Sequence, residues 1–365
     1  MEEARNLGGS NLKAPSVQEL AKRQLASVPP RYVYDDIEKI SYNSSMLLPQ
    51  LPVIDMEKLL SNVGDGHDGD LELERLHFAC KEWGFFQVVN HGVSSSFMEK
   101  LKSEIRAFFD LPLEEKKKFE HQKGNIEGFG HDMVFSEEQK LVWSDLFYMT
   151  TLPVSLRKPY LFPKLPASLR DTLEEQSKLF NSLAISILCK LAKTLRMDEK
   201  EMGDLYSDGV QIIRMNYYPP CPEPDRTFGV TPHSDTDALT ILVHLNETEG
   251  LQIRKDDIWV PVKPLPNALT VNIGDMMEIL SNGVYRSIEH RAIVNSDKER
   301  LSLATFYTFK MDCELGPARS LVGPDNPPIF RRDRLGKSME AFTRRQFIGK
   351  SFIDLMKVES KDEES

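Results

Sequence analysis

Four cysteines in 365 residues, none arranged as C-x-x-C, leave little basis for a disulfide framework. Cys80, Cys189, Cys221 and Cys313 stand far apart, and in a chain of this size they read as free thiols in a reducing compartment. The glycosylation sequons at Asn43 and Asn246 then go unused. No run approaches the ~20 apolar residues that a membrane-spanning helix requires. The opening "MEEARNLGGSNLKAPS" has neither a basic n-region nor an apolar core, and the acidic tail "ESKDEES" carries no sorting signal. The expected address is the cytoplasm, with no membrane partner. Positive charge is in deficit too: 46 Lys and Arg face 56 Asp and Glu, a net charge of −10. A phosphate backbone is repelled on average, so nucleic acid is not an expected partner. Internal repeats and low-complexity linkers are absent as well.

What is present is ordinary for a folded globular chain, with 40% hydrophobic and 28% charged residues. Ser16 and Glu19 have capping-box spacing, and Pro29 and Pro30 are expected to stop the helix they open. "LPVIDM" (51–56) reads as a short strand. "GDGHDGD" (64–70) lacks the glycine and terminal glutamate of a calcium loop and reads as a solvated loop. Leu73, Leu76, Cys80 and Trp83 have helical spacing, and "GFFQVV" follows as a buried strand. Phe97, Leu101, Ile105 and Phe108 form a second stripe, begun by Ser96. A long helix is predicted over 167–196, so the first half is expected to be mostly helical.

Past residue 210 the texture changes. "IIRMNYY", "LTILVHL", "LQIRK", "IWVPV", "LTVNI", "YRSIEHRAIV" and "RLSLATFYTF" are short strand-like runs at even spacing, which argues for an antiparallel sandwich or barrel. A last helix is predicted over 339–356. The expected division is 1–205 as a mostly helical region, 206–312 as the β domain, and 313–365 as a helical extension and tail.

"TPHSDTDALTI" (231–241) puts His233 and Asp235 two apart at the head of a strand, where extended backbone points both to one face. A third ligand is available in His290, 57 residues on, in a strand that can lie opposite across a barrel mouth. Two imidazoles and one carboxylate form the facial triad of non-haem Fe(II) oxygenases. A zinc hydrolase can use the same donor set. His244 reads equally well as a half-buried sheet residue.

The next motif separates these readings. In "RLSLATF", alternation places Arg300, Ser302, Ala304 and Phe306 on one face. A guanidinium and a hydroxyl on the inner face of an apolar strand need a buried partner. A dicarboxylate satisfies both, bidentate to the arginine. "RMNYYPP" likewise alternates Arg214, Asn216 and Tyr218; Tyr218 can donate to the same carboxylate, while Arg214 is expected to shape the pocket wall.

On "NYYP" (216–219), "HSD" (233–235), His290 and "RLS" (300–302), the chain resembles the plant 2-oxoglutarate/Fe(II)-dependent dioxygenases. The likeness extends to "ACKEWGFFQVVNHGV" (79–93) and "PLPNALTVNIGDMMEILSNGVYRSIEHRAIVN" (264–295), and runs from about Pro15 to Met356. It is nearest to the senescence-related group that includes the poppy morphinan O-demethylases. The resemblance implies an α+β chain built on a distorted double-stranded β-helix (jelly roll), with a mostly helical N-terminal region and a C-terminal helix. It implies Fe(II) on His233, Asp235 and His290, and 2-oxoglutarate on Arg300, Ser302 and Tyr218, with Asn216 beside them. O2 is the second cosubstrate, ascorbate a supporting reductant, and succinate and CO2 the coproducts. His67, His77, His91, His121 and His131 are read as structural or surface residues.

The expected activity is hydroxylation or O-demethylation of a small ring-containing plant metabolite (an alkaloid, phenolic or terpenoid) by a monomer. Its wall is expected to include Phe306, and Phe129, Met133, Phe135 and Tyr148 from "GFGHDMVF" and "WSDLFYM". The competing readings are a hormone-oxidising enzyme of the same family and a binding protein on the same fold that has lost turnover.

Overall fold

Alternating side chains build two sheets that face each other across the site. The computed structural model describes residues 14–23, 25–35, 37–38, 49–61, 67–122, 125–132, 134, 136–343 and 351–358. In chain order the strands are β1 (Val53–Asp55), β2 (Phe85–Val89), β3 (Gly128–Gly130), β4 (Asp145–Leu152), β5 (Val210–Tyr218) and β6 (Val230–His233). There follow β7 (Leu239–His244), β8 (Leu251–Lys255), β9 (Ile258–Pro261), β10 (Leu269–Ile273), β11 (His290–Ala292) and β12 (Arg300–Thr308). The major sheet runs β1-β2-β10-β7-β12-β5-β4-β3, the minor one β6-β11-β8-β9. All pairings are antiparallel except β1 with β2. This is a jelly roll.

The outward face of the major sheet is apolar, through Met215, Ile213, Leu303, Ile241, Val243 and Val271. It packs on two helices, Ser95–Asp110 and Ala167–Thr194, whose buried stripes include Leu101, Ile105, Phe108, Leu173, Phe180 and Ile187. These stripes are core, as their spacing predicts. The inward face is different: it carries Arg214, Asn216 and Tyr218 on β5 opposite Ala304, Ser302 and Arg300 on β12. One end of the space between the sheets is plugged by Phe85, Leu251, Ile253, Val260 and Val262. The polar end is left for the site.

Several elements differ from the sequence expectation. Beyond the expected β1 and β2, the first half contributes β3 and β4, and β4 pairs with β5 from Asp145 to Leu152. Alternation in "DLFYMTTL" made that strand, with Phe147 and Met149 outward in the helix-facing core. The first helix ends at Ala21, ahead of the prolines, and Asp145 holds its start: the carboxylate accepts from Ser16 Oγ (2.6 Å), Val17 N (2.7 Å) and Gln18 N (3.1 Å). Helix His67–Phe78 takes up the end of the stretch read as a loop, with Asp70 in its acidic opening turn suited to the helix dipole. Ser94, not Ser96, caps the helix at Ser95–Asp110, accepting from Phe97 N at 3.2 Å. The predicted C-terminal helix is described as two, Leu335–Thr343 and Ser351–Met356, and residues 344–350 lie outside the described ones. No helix among the described residues is long and apolar enough to cross a membrane.

Candidate iron and 2-oxoglutarate site

Strands β6 and β11 pair so that His290 stands directly opposite His233. That register closes the 57-residue gap left open by the sequence. Asp235, just past the end of β6, turns back to both: its Oδ1 lies 3.5 Å from His233 Nε2 and 3.6 Å from His290 Nε2. The three ligand atoms lie within 4.8 Å of one another, and the imidazole centroids are 4.3 Å apart.

Each donor is aimed by a neighbour. His233 Nδ1–H donates to the Thr231 carbonyl (2.8 Å) and His290 Nδ1–H to the Ile288 carbonyl (3.2 Å). Both Nε2 lone pairs are thereby turned inward. Asp235 Oδ2 accepts from Thr240 Oγ1 (2.6 Å) and Asn272 Nδ2 (2.8 Å), which leaves Oδ1 for the shared point. Burial would push the Asp235 carboxyl up, but the His290 and His233 imidazoles and the Thr240 hydroxyl hold it well below the usual carboxylate range. Burial, then the neighbouring His233, press His290 down to about 4, a neutral imidazole near neutral pH. His233 is pushed down by burial, but its hydrogen bond and attraction to Asp235 prevail and raise it. One carboxylate and two imidazoles converging with their remaining atoms engaged fit a divalent iron.

The second cluster lies on the inner face of the opposite, major sheet, on β5 and β12. Arg300 is buried, pairs across β5 with Tyr218, and places its guanidinium carbon 5.0 Å from the Tyr218 ring centroid. Its Nε is buried with no hydrogen-bond partner among the described residues. A buried guanidinium of this kind calls for an anion. Ser302 pairs with Asn216, whose Nδ2 donates into Ser302 Oγ (3.3 Å) and leaves the hydroxyl hydrogen free to donate. Asn216 Oδ1 accepts from Arg214 Nε at 2.7 Å, so its amide supports the serine from behind. Two glycines let the arginine and tyrosine sit there: a Cβ on Gly250 would meet Arg300 Cδ at 2.8 Å, and one on Gly229 the Tyr218 ring at 2.6 Å. The arrangement fits one end of a dicarboxylate.

The candidate wall residues divide. Phe306 is half-buried on the inner face, opposite Thr240 of β7, and Tyr148 shares that face opposite Arg214. Phe129 does not belong with them. It pairs with the outward Phe147, lies 6.3 Å from the Phe108 ring, and is buried in the helix-facing core. Met133 and Phe135 lie outside the described residues.

Other histidines serve structure: His77 Nδ1 meets the Tyr285 hydroxyl at 3.1 Å, and His91, His121 and His131 bond the carbonyls of Asn267, His131 and Pro15. The His67 side chain is outside the described set. Asn246 Nδ2 donates to Glu299 O and its Oδ1 accepts from Leu301 N, and Asn43 is not among the described residues.

Two residues were missed from sequence. Thr240 and Asn272 aim Asp235, and both are polar positions inside apolar strands, a visible signal. His244 lies opposite Ser302, donates or accepts at Thr270 Oγ1 (3.1 Å), and is pressed to about 3 by burial and then by the Arg300 charge. It is a neutral floor to the second cluster.

Comparison with known proteins agrees. Residues 209–309 match the 2OG-Fe(II) oxygenase superfamily, and residues 51–182 match the non-haem dioxygenase in morphine synthesis N-terminal family. The chain is 51% identical to Protein SRG1 of Arabidopsis thaliana and 49% to codeine O-demethylase of Papaver somniferum. Each alignment covers 96% of this chain and 98% of the relative. It is 49% identical to oxoglutarate-dependent flavonoid 7-O-demethylase 1 of Ocimum basilicum, over 96% of this chain and 93% of that one. Among solved structures, JOX2 in complex with 2OG, Fe and JA matches with a TM-score of 0.84 and 35% identity, covering 96% of this chain and 100% of that one.

Proposed function

The chain belongs to the 2OG-Fe(II) oxygenase superfamily, and from that premise we propose that it removes an O-methyl group from, or hydroxylates, a small ring-containing plant specialised metabolite. It is an Fe(II)- and 2-oxoglutarate-dependent dioxygenase with a small-molecule substrate. We assign iron to His233, Asp235 and His290, and the distal carboxylate of 2-oxoglutarate to Arg300, Ser302 and Tyr218. The observation that carries the reading is the convergence of His233, Asp235 and His290 at the minor sheet, with the buried Arg300 and its unpartnered Nε on the major sheet that faces it. Near-full-length relatives named for O-demethylation of codeine and of a flavonoid supply the substrate class.

When bound, iron and 2-oxoglutarate supply the oxidising chemistry: O2 and 2-oxoglutarate are consumed, and one oxygen atom reaches the substrate. The protein's own contribution is placement. Arg300 and Ser302 would hold one carboxylate of the cosubstrate and leave its keto acid end for the metal held by the triad. The backbone bonds of His233 and His290 lock the ring tautomers. Phe306 and Tyr148 line a face that excludes water and orients a ring. For an aryl or alkyl methyl ether, oxygen insertion at the methyl carbon gives a hemiacetal, which splits into the free hydroxyl and formaldehyde, with succinate and CO2 as coproducts.

The test incubates the enzyme with Fe(II), ascorbate, 2-oxoglutarate and methoxylated alkaloids and flavonoids. O-Demethylation yields formaldehyde in step with succinate, whereas hydroxylation yields succinate and a product heavier by one oxygen. Succinate formation unaffected by any ring compound would refute the substrate class. Phe306→Ala is expected to lower the ratio of product to succinate several-fold by loosening the substrate against the wall. Unchanged coupling and regioselectivity would move Phe306 out of the chamber.

A second reading, oxidation of a hormone, draws on the likeness to JOX2, solved with JA. We further propose a cytoplasmic monomer that does not bind nucleic acid, supported by the net charge of −10 and four free cysteines.

A further inference from the structure

Arg214 projects from the inner face of β5, beside Tyr148 on β4 and Ala304 on β12, and its charge is felt at His233. It therefore borders the space a substrate must occupy to reach the triad. A guanidinium free in such a chamber would be a receptor for a substrate carboxylate. This one is not free. Its Nη1 lies 2.8 Å from Asp132 Oδ1 and its Nη2 donates to Asp132 Oδ2 at 2.9 Å, a fork-on-fork pair. Its Nε is held by Asn216 Oδ1 at 2.7 Å.

Asn216 in turn holds Ser302, so the guanidinium is tied to the cosubstrate wall on one side and to the segment after β3 on the other. Of the two arginines on this wall, Arg300 is reserved for 2-oxoglutarate and Arg214 is neutralised.

We propose that Asp132 is a specificity-determining residue: by occupying Arg214 it fits the substrate chamber to uncharged or amine-bearing ring compounds and closes it to carboxylates. The proposal rests on the oxygenase reading of this chamber and narrows its substrate class. It also sets the demethylase reading apart from oxidation of a carboxylic acid. The Asp132 side chain is 42% exposed, so Asp132→Asn, nearly isosteric, removes the charge without opening the core.

The experiment measures equilibrium binding by calorimetry, in the absence of O2, to the full chain loaded with Fe(II) and saturating 2-oxoglutarate. The probes are naphthalene-2-carboxylate and naphthalene-2-carboxamide, matched in shape. Wild type is expected to bind the carboxamide at least about ten-fold more tightly, the scale of one bond to a charged group. Asp132→Asn is expected to shift that ratio about ten-fold or more toward the carboxylate, and adding Arg214→Met should abolish the shift. Wild type binding the carboxylate as tightly as the carboxamide overturns the proposal without any variant. So does an Asp132→Asn protein that fails to gain the carboxylate, or a gain that survives Arg214→Met. Because binding is read without turnover, failure here leaves the formaldehyde result standing, and absence of formaldehyde leaves this ratio standing.

Discussion

Asp235→Ala is expected to lose iron and turnover together while keeping the fold. Asp235 supplies the only carboxylate of the triad and, among the described residues, the carboxylate within 4 Å of both imidazoles. Changing a group that merely orients a ligand typically costs 10–100-fold in metal affinity or activity, so removing the ligand itself should leave less than about a hundredth of the wild-type rate. The structural cost is smaller. Thr240 Oγ1 and Asn272 Nδ2 lose their acceptor, a penalty of about 1–3 kcal/mol for each donor left unpaired, less where water enters. The helix-facing core, on the other side of the major sheet, is untouched. Iron content after anaerobic loading and gel filtration, with circular dichroism and succinate formation, checks this. A folded variant that retains one iron per chain and more than a tenth of the turnover would refute the assignment.

Much of this site was legible because strand alternation is a short-range rule. Arg300 and Ser302, and Asn216 and Tyr218, are each two apart within one strand, so each pair's shared face follows from extended backbone alone. His233 and Asp235 are also two apart, but β6 ends at His233, and Asp235 reaches the site from the turn beyond the strand. Thr240 and Asn272 obey the same rule and could have been found by asking which polar side chains interrupt "LTILVHL" and "LTVNI". Phe129 shows where the rule fails. A three-residue strand flanked by glycines carries no pattern to say which face is inward, and only its pairing with Phe147 turns Phe129 into the helix-facing core. Asp132 was hidden for another reason. Its partner Arg214 lies 82 residues away, and no local pattern predicts that a loop carboxylate will reach across the chamber to a strand arginine. The first half was read as mostly helical because its long stripes dominate the hydrophobic pattern; β1 and β2 were still visible in "LPVIDM" and "GFFQVV", while β3, with three residues, was not. Such strands are stabilised by their neighbours in the sheet, not by their own sequence.

Arg300→Met is expected to weaken 2-oxoglutarate binding by roughly 10- to 150-fold, the equivalent of about 1.5–3 kcal/mol for a hydrogen bond to a charged group. Methionine keeps the length and apolar stem of arginine and removes only the charged fork. The fold should tolerate the change, since the backbone pairing of Arg300 in β12 is kept and its side-chain Nε has no hydrogen-bond partner among the described residues to lose. Removing a buried unpaired guanidinium relieves a desolvation cost, so the variant should unfold at no lower a temperature than wild type in the absence of 2-oxoglutarate. Added 2-oxoglutarate should raise the wild-type midpoint and barely move that of the variant, because stabilisation by a ligand follows its affinity. Ser302→Ala should fall between the two, since it removes one neutral donor and leaves Asn216 Nδ2 without its serine acceptor. The affinities are read from the midpoint shift against 2-oxoglutarate concentration and from the KM for 2-oxoglutarate. If Arg300→Met left both unchanged, the carboxylate would have to be held elsewhere on the wall, and the buried charge on β12 would lose its explanation.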